Sequence, residues 1–153
     1  MVQASGTRIS RTAVRRTLTA LAVIAVLIGL GVPWHRIHAL NERRLEAAAA
    51  LEAIQAAEED FLVSHNRYSR DLALPSPEGL GLANHSRGGR FALSVELASP
   101  ASALGFSARA LSSEAAVPPD PLCHSFTLNQ NGIRGALDAA GADHTAECWP
   151  REP

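Results

Sequence analysis

The chain is predicted to be an α+β protein in which a long N-terminal transmembrane and amphipathic helix packs on a small antiparallel β-meander. Three observations predict it. Residues 35–65 contain neither glycine nor proline and carry the alanine tract 47–50. Beyond residue 90, short runs alternate apolar and polar residues with a period of two. Asn131-Gly132, a residue pair favoured in two-residue hairpin turns, separates the last two of those runs. At 153 residues, a chain with one membrane segment leaves roughly 120 residues for a single modest core, which excludes a large multidomain enzyme.

The first element is the charge-free run Leu18 to Val32, LTALAVIAVLIGLGV, preceded by Arg8, Arg11, Arg15 and Arg16 and closed by Pro33-Trp34. As a helix, residues 17–34 extend about 27 Å, enough to cross a bilayer once with some thinning. The basic leader, residues 1–16, places the N-terminus in the cytoplasm and the rest beyond the inner membrane, in the periplasm. Gly29-Leu30-Gly31 also offers small residues of the kind a signal peptidase reads. The helix-forming chain beyond favours one continuous helix that Pro33 kinks rather than ends. After Pro33, ten arginines face fifteen acids, which argues against a nucleic-acid-binding surface spread over the whole domain.

Residues 35–65 form the amphipathic continuation, with Leu40, Leu51, Ile54, Phe61 and Leu62 near helical spacing. Glu42, Arg43, Arg44, Glu46, Glu52, Glu58, Glu59 and Asp60 are expected on its exposed face. The β domain takes residues 66–153 and opens with a long, partly packed loop, 66–89, punctuated by Pro75, Pro77 and four glycines. Arg90 to Leu97 should form a strand with Phe91, Leu93, Val95 and Leu97 on one face. Leu104 to Leu111 should follow with Leu104, Phe106, Ala108 and Ala110, Pro100 being tolerated in the connection. Val117 to Pro121 is a rigid crossing, after which Cys123 to Gln130 and Ile133 to Leu137 flank Asn131-Gly132. Cys123 and Cys148, on the oxidising side of the membrane, are expected to pair. Closing a loop of about 25 residues removes unfolded-state entropy worth roughly 3 kcal/mol.

The order of parts resembles the type IV pilin family, particularly its minor pilins. The resemblance rests on the basic leader, the apolar helix with Pro33, the alanine-rich continuation and the helix exit His65-Asn66-Arg67-Tyr68. More specific is Asp120-Pro121-Leu122-Cys123-His124-Ser125-Phe126-Thr127-Leu128-Asn129-Gln130-Asn131-Gly132, followed by Glu147-Cys148-Trp149. This is similar to the disulfide-bounded region of pilins. The resemblance implies that the Cys123–Cys148 bridge pins the C-terminal segment to the sheet and that Trp149 covers it. It further implies that the helix packs among other pilins and pilus assembly proteins, in filaments that serve adhesion and motility. Two departures accompany it. Pilins are cut after a glycine that precedes a phenylalanine-led apolar stretch, whereas Gly6 is followed by Thr7. Aligning Pro33 with the family's helix proline also puts Arg16 where a glutamate pairs with a neighbour's terminal amine. An arginine buried there opposes ordinary filament packing, and a membrane-anchored assembly factor or a periplasmic ligand- or DNA-binding module stands as the alternative.

No catalytic residue, cofactor or metal site is expected. His35 and His38 have helical chelating spacing but only Glu42 nearby. His65, His85, His124 and His144 form no motif, and two cysteines are too few for zinc. Ser64, Ser69, Ser76, Ser86 and Ser125 lack a nucleophile elbow. Asp138 and Asp143 flank Gly141 in an arrangement unlike a calcium loop and are expected in a hydrated turn. Arg67, Arg70, Arg87 and Arg90 bracket the Pro/Gly loop and are the candidate contacts for DNA or an anionic surface ligand. Asp71 and Glu78 lie among them.

Overall fold

The computed structural model describes residues 11–98, 105–114, 116, 117 and 119–150, with side chains left out at 11–18 and 27–36. The start of the basic leader, Pro100 and Leu104 therefore lie outside the described residues, as do the side chains of Pro33, Trp34 and His35. Helix α1 spans Arg11–His65, so the helix does not end at position 33. The chain divides into two compact units, residues 1–39 and 40–153. In the first, Leu21, Val23, Ile24 and Val26 are each at least half exposed. Among the described residues no helix is long and apolar enough to cross a membrane. Much of the expected span at 17–34 falls on side chains outside that description.

In the second unit, strands β1 (Phe91–Leu97), β2 (Phe106–Ser112), β3 (Ser125–Asn129) and β4 (Arg134–Leu137) form one antiparallel sheet in sequence order. This is the expected meander. Alternation sets which face is buried: Phe91, Val95, Phe106, Ala108, Ala110, Phe126, Leu128 and Ala136 point inward. They share one core with Ala47, Ala48, Leu51 and Ile54 of α1. Small residues on helix and sheet leave room for the three phenylalanines. Phe91 and Phe126 meet edge to face at 5.7 Å, and Phe126 meets Trp149 at 6.0 Å.

Local chemistry sets the ends of these elements. Asn66 takes a left-handed φ of 55° after α1, and its amide donates to the Leu62 carbonyl at 2.8 Å. The loop that follows folds back on itself. Asp71 Oδ1 accepts the Ala73 and Leu74 amides, while the Leu80 and Leu82 amides return to the carbonyls of Asp71 and Leu72. Residues 84–86 then cover the outer edge of β1 at Phe91 and Leu93.

The hairpin between β3 and β4 differs from expectation. Its turn centres on Gln130-Asn131, with the Gly132 amide donating to the Asn129 carbonyl at 2.9 Å. Gly132 alone adopts a positive φ, 73°. The Asn129 side chain is the cause: its Oδ1 accepts the Asn131 and Ile133 amides, which favours the longer turn ending in a left-handed glycine. A short helix, α2 (Thr145–Cys148), not foreseen from the sequence, carries Cys148 to Cys123, and the S–S distance is 1.99 Å.

Candidate contact surface and its polar clasp

The charges of α1 do not all face solvent, which corrects the sequence reading at four positions. Arg43 and Glu58 are buried, at 3 % and 0 % exposure, in the stripe that also holds Ala47, Leu51, Ile54 and Phe61. Arg44 forks onto Asp120, Nε to Oδ2 at 2.8 Å and Nη2 to Oδ1 at 3.1 Å, and its Nη1 donates to the Glu147 carbonyl. Glu46 accepts from the Ser86 hydroxyl, the Gly88 amide at 2.8 Å and Arg90 Nη1 at 2.8 Å. Arg43 Nη2 donates to the Ala116 carbonyl at 3.0 Å, while its Nε and Nη1 are buried without a hydrogen-bond partner. Three residues of one helical turn thus hold two loops, the β2–β3 connection and residues 86–90, and Arg44 also reaches α2. Apolar periodicity misses this, because the partners lie 40 or more positions away.

The electrostatics follow from these contacts. Burial works to raise the Asp120 carboxyl, but the Arg44 fork and the Leu122 and Cys123 amides outweigh it and hold it below the ordinary carboxylate range. Glu46 behaves alike, burial being overcome by Ser86, Gly88 and Arg90. At Glu58 burial wins and pushes the carboxyl up to about 7, opposed only by the Ser69 amide.

Beside the clasp lies an apolar groove of about 770 Å³. Its helix side is Leu45, Ala49, Ala50, Ala53 and Ile54, and its far wall is Leu82, Ala83 and Leu93. Leu45 is 54 % exposed there. Its volume lies within the range of ligand pockets, yet its lining offers mainly apolar contact.

The four candidate arginines take different positions. Arg90 is spent on Glu46. Arg67 lies over the Phe61 ring at 5.1 Å and donates to the Pro77 carbonyl. Arg87 borders the apolar groove, whereas Arg70 lines another cleft with Asp71, Asn84 and Val95. Asp138 Oδ1 accepts the Ala140 and Ala142 amides, and Asp143 Oδ1 accepts the amide and hydroxyl of Thr145, so both carboxylates shape turns. Among the described residues no histidine, cysteine or acid cluster could hold a metal. Trp149 is buried, and its Nε1 donates to the Gly135 carbonyl at 3.0 Å.

No family model and no curated protein matches the sequence. Among solved structures, the chain is similar to a type IV pilin from Shewanella oneidensis, with 22% identity over 73% of this chain and 99% of that one and a TM-score of 0.46.

Proposed function

We propose that this chain is a pilin-like structural component, a minor pilin or an anchored assembly factor of a type IV pilus or related secretion filament, acting by protein–protein contact. The observation that carries this reading is the exposed apolar surface of α1: Leu21, Val23, Ile24 and Val26 in the first unit, and Leu45 beside the apolar groove in the second. Surface of that kind calls for cover by lipid or by another protein. In this reading residues 17–34 anchor the chain in the inner membrane with its N-terminus cytoplasmic, and the disulfide-tied domain stands in the periplasm. The sequence resemblance around Cys123 and Cys148 supports the same assignment. The alternative, a periplasmic module that binds DNA or another anionic ligand without polymerising, draws less support, because Arg90 and Arg67 are engaged within the fold.

The test is to shear surface filaments from the native bacterium and quantify this chain by mass spectrometry against the membrane fraction, mapping its N-terminus. A trimmed chain within filaments is the outcome expected of a pilin. An intact chain in the membrane that cross-links to pilus proteins is expected of an anchored assembly factor. A chain absent from filaments and from any cross-link to pilus proteins overturns both.

A further inference from the structure

Glu58 stands apart from the other acids of α1. It is fully buried, one turn from Ile54 on one side and from Phe61 on the other. Its Oε2 accepts the Ser69 amide at 2.8 Å, and its Oε1 is buried without a hydrogen-bond partner. Among the described residues no cation acts on it. Along its own helix, Glu59 and Asp60 are exposed and His65 is stacked on Phe61. The inward face of the sheet is apolar, with Phe91, Phe106, Phe126 and Leu128 in the core it shares with α1. The loop crossing it brings Tyr68 and Ser69, Arg67 over the Phe61 ring, an exposed Arg70 and a half-buried Asp71 that caps the Ala73 and Leu74 amides, and of these only the Ser69 amide acts on the Glu58 carboxyl.

We propose that loop 66–82 is a proton-gated flap, docked on the helix and sheet while Glu58 is protonated and loosened as Glu58 ionises. A carboxylate in this site loses its hydration and gains a single amide in return, so the charged form favours opening toward water. The sign follows from linkage. With the flap closed, Glu58 keeps its proton up to about 7, whereas in a solvated, open site it gives the proton up near its ordinary 4.5. Docking is therefore complete at acid pH and weakens as pH rises between those values, by at most about tenfold per pH unit. Above the higher value both forms are ionised and the dependence levels off.

Opening has a structural consequence. The flap carries Tyr68 and Leu72, which belong to the core, and Leu82, which walls the apolar groove. Tyr68 meets Phe106 edge to face at 5.0 Å when docked. Release exposes this apolar surface and takes Leu82 out of the groove's far wall, leaving Ala83 and Leu93.

Hydrogen exchange read by mass spectrometry tests the flap, on the full chain in lipid nanodiscs between about pH 4.5 and 8, with intrinsic rates corrected. Protection of peptides within 66–82 should fall by up to tenfold per pH unit as pH rises and flatten above about 7, while peptides within 125–137 stay constant. Glu58→Gln should hold the flap protected throughout. A ¹³C NMR titration of the Glu58 carboxyl in the unaltered chain provides a readout independent of any variant's folding. A carboxyl that titrates near 4.5 overturns the proposal. So does flap protection that runs parallel to the strands, or a pH dependence that survives in Glu58→Gln.

Discussion

Arg43 and Arg44 are sequence neighbours in opposite situations. Arg44 has a matched carboxylate, and Asp120 is itself satisfied by the Leu122 and Cys123 amides. Arg44→Ala leaves that carboxylate short of its cation and should lower the unfolding free energy by about 2 kcal/mol. A double-mutant cycle with Asp120→Asn, read by denaturant unfolding, should return a coupling of about 1–2 kcal/mol. Because the folded Asp120 carboxyl is held low, its contribution is present above its ordinary value of 3.8 and disappears as pH falls through the folded value. Asp120→Asn should therefore flatten the loss of stability in acid. Arg43, with two unpartnered nitrogens, is the reverse case. Arg43→Met should leave stability within about 1 kcal/mol or raise it, since well-packed apolar replacements of poorly compensated buried charge are often neutral or favourable.

Two glycines separate clash from conformation at the scale of the element. A Cβ on Gly79 would sit 2.5 Å from the Leu74 carbonyl oxygen and 2.7 Å from that of Asp71, both backbone atoms of the back-folded loop. Gly79→Ala should cost about 1–3 kcal/mol and loosen residues 71–82 in hydrogen exchange. A Cβ on Gly132 meets nothing within 4 Å, but the residue holds a φ of 73°. Gly132→Ala should cost about 1 kcal/mol through the backbone alone, checked by thermal unfolding. The sequence showed that a turn lay here, because Asn-Gly between alternating runs is a strong local signal. Its type escaped, because the Asn129 side chain competes for the same amides. The strands were legible for a similar reason: period-two alternation at Phe91 to Leu97 and at Phe106 to Ala110 reports directly on a half-buried sheet. The end of α1 was legible as well, since Asn66 is a residue that tolerates the left-handed exit it adopts.

For the whole molecule, the bridge between Cys123 and Cys148 joins α2 to the segment just before β3 across 25 positions. Replacing both with serine should remove about 3 kcal/mol, seen as a lower denaturant midpoint, and reduction of the unaltered chain should match it. Trp149 should then lose its edge-to-face contact with Phe126, a change that near-ultraviolet circular dichroism reports. The burial of Phe91, Phe106 and Phe126, worth about 1.5–3 kcal/mol each, keeps the sheet the stable part of the domain.

The sequence by itself determined the class of the fold, the order of its strands along the chain, the faces those strands bury and the pairing of its two cysteines, because each follows from local periodicity or from a count. Only the tertiary structure decided which charges of α1 are buried. Arg43 and Glu58 fall at helical spacing with Ala47, Leu51, Ile54 and Phe61, but nothing local gives any of the four charges Arg43, Arg44, Glu46 and Glu58 its partner. They are set apart by Ala116, Asp120, Ser86 and Ser69, which only folding brings within hydrogen-bond reach. The same holds for the groove, whose walls come from residues 45–54 and 82–93 and exist only once the loop has folded back on the helix. Electrostatic environment is a property of neighbours in space, and the chain's order leaves it open.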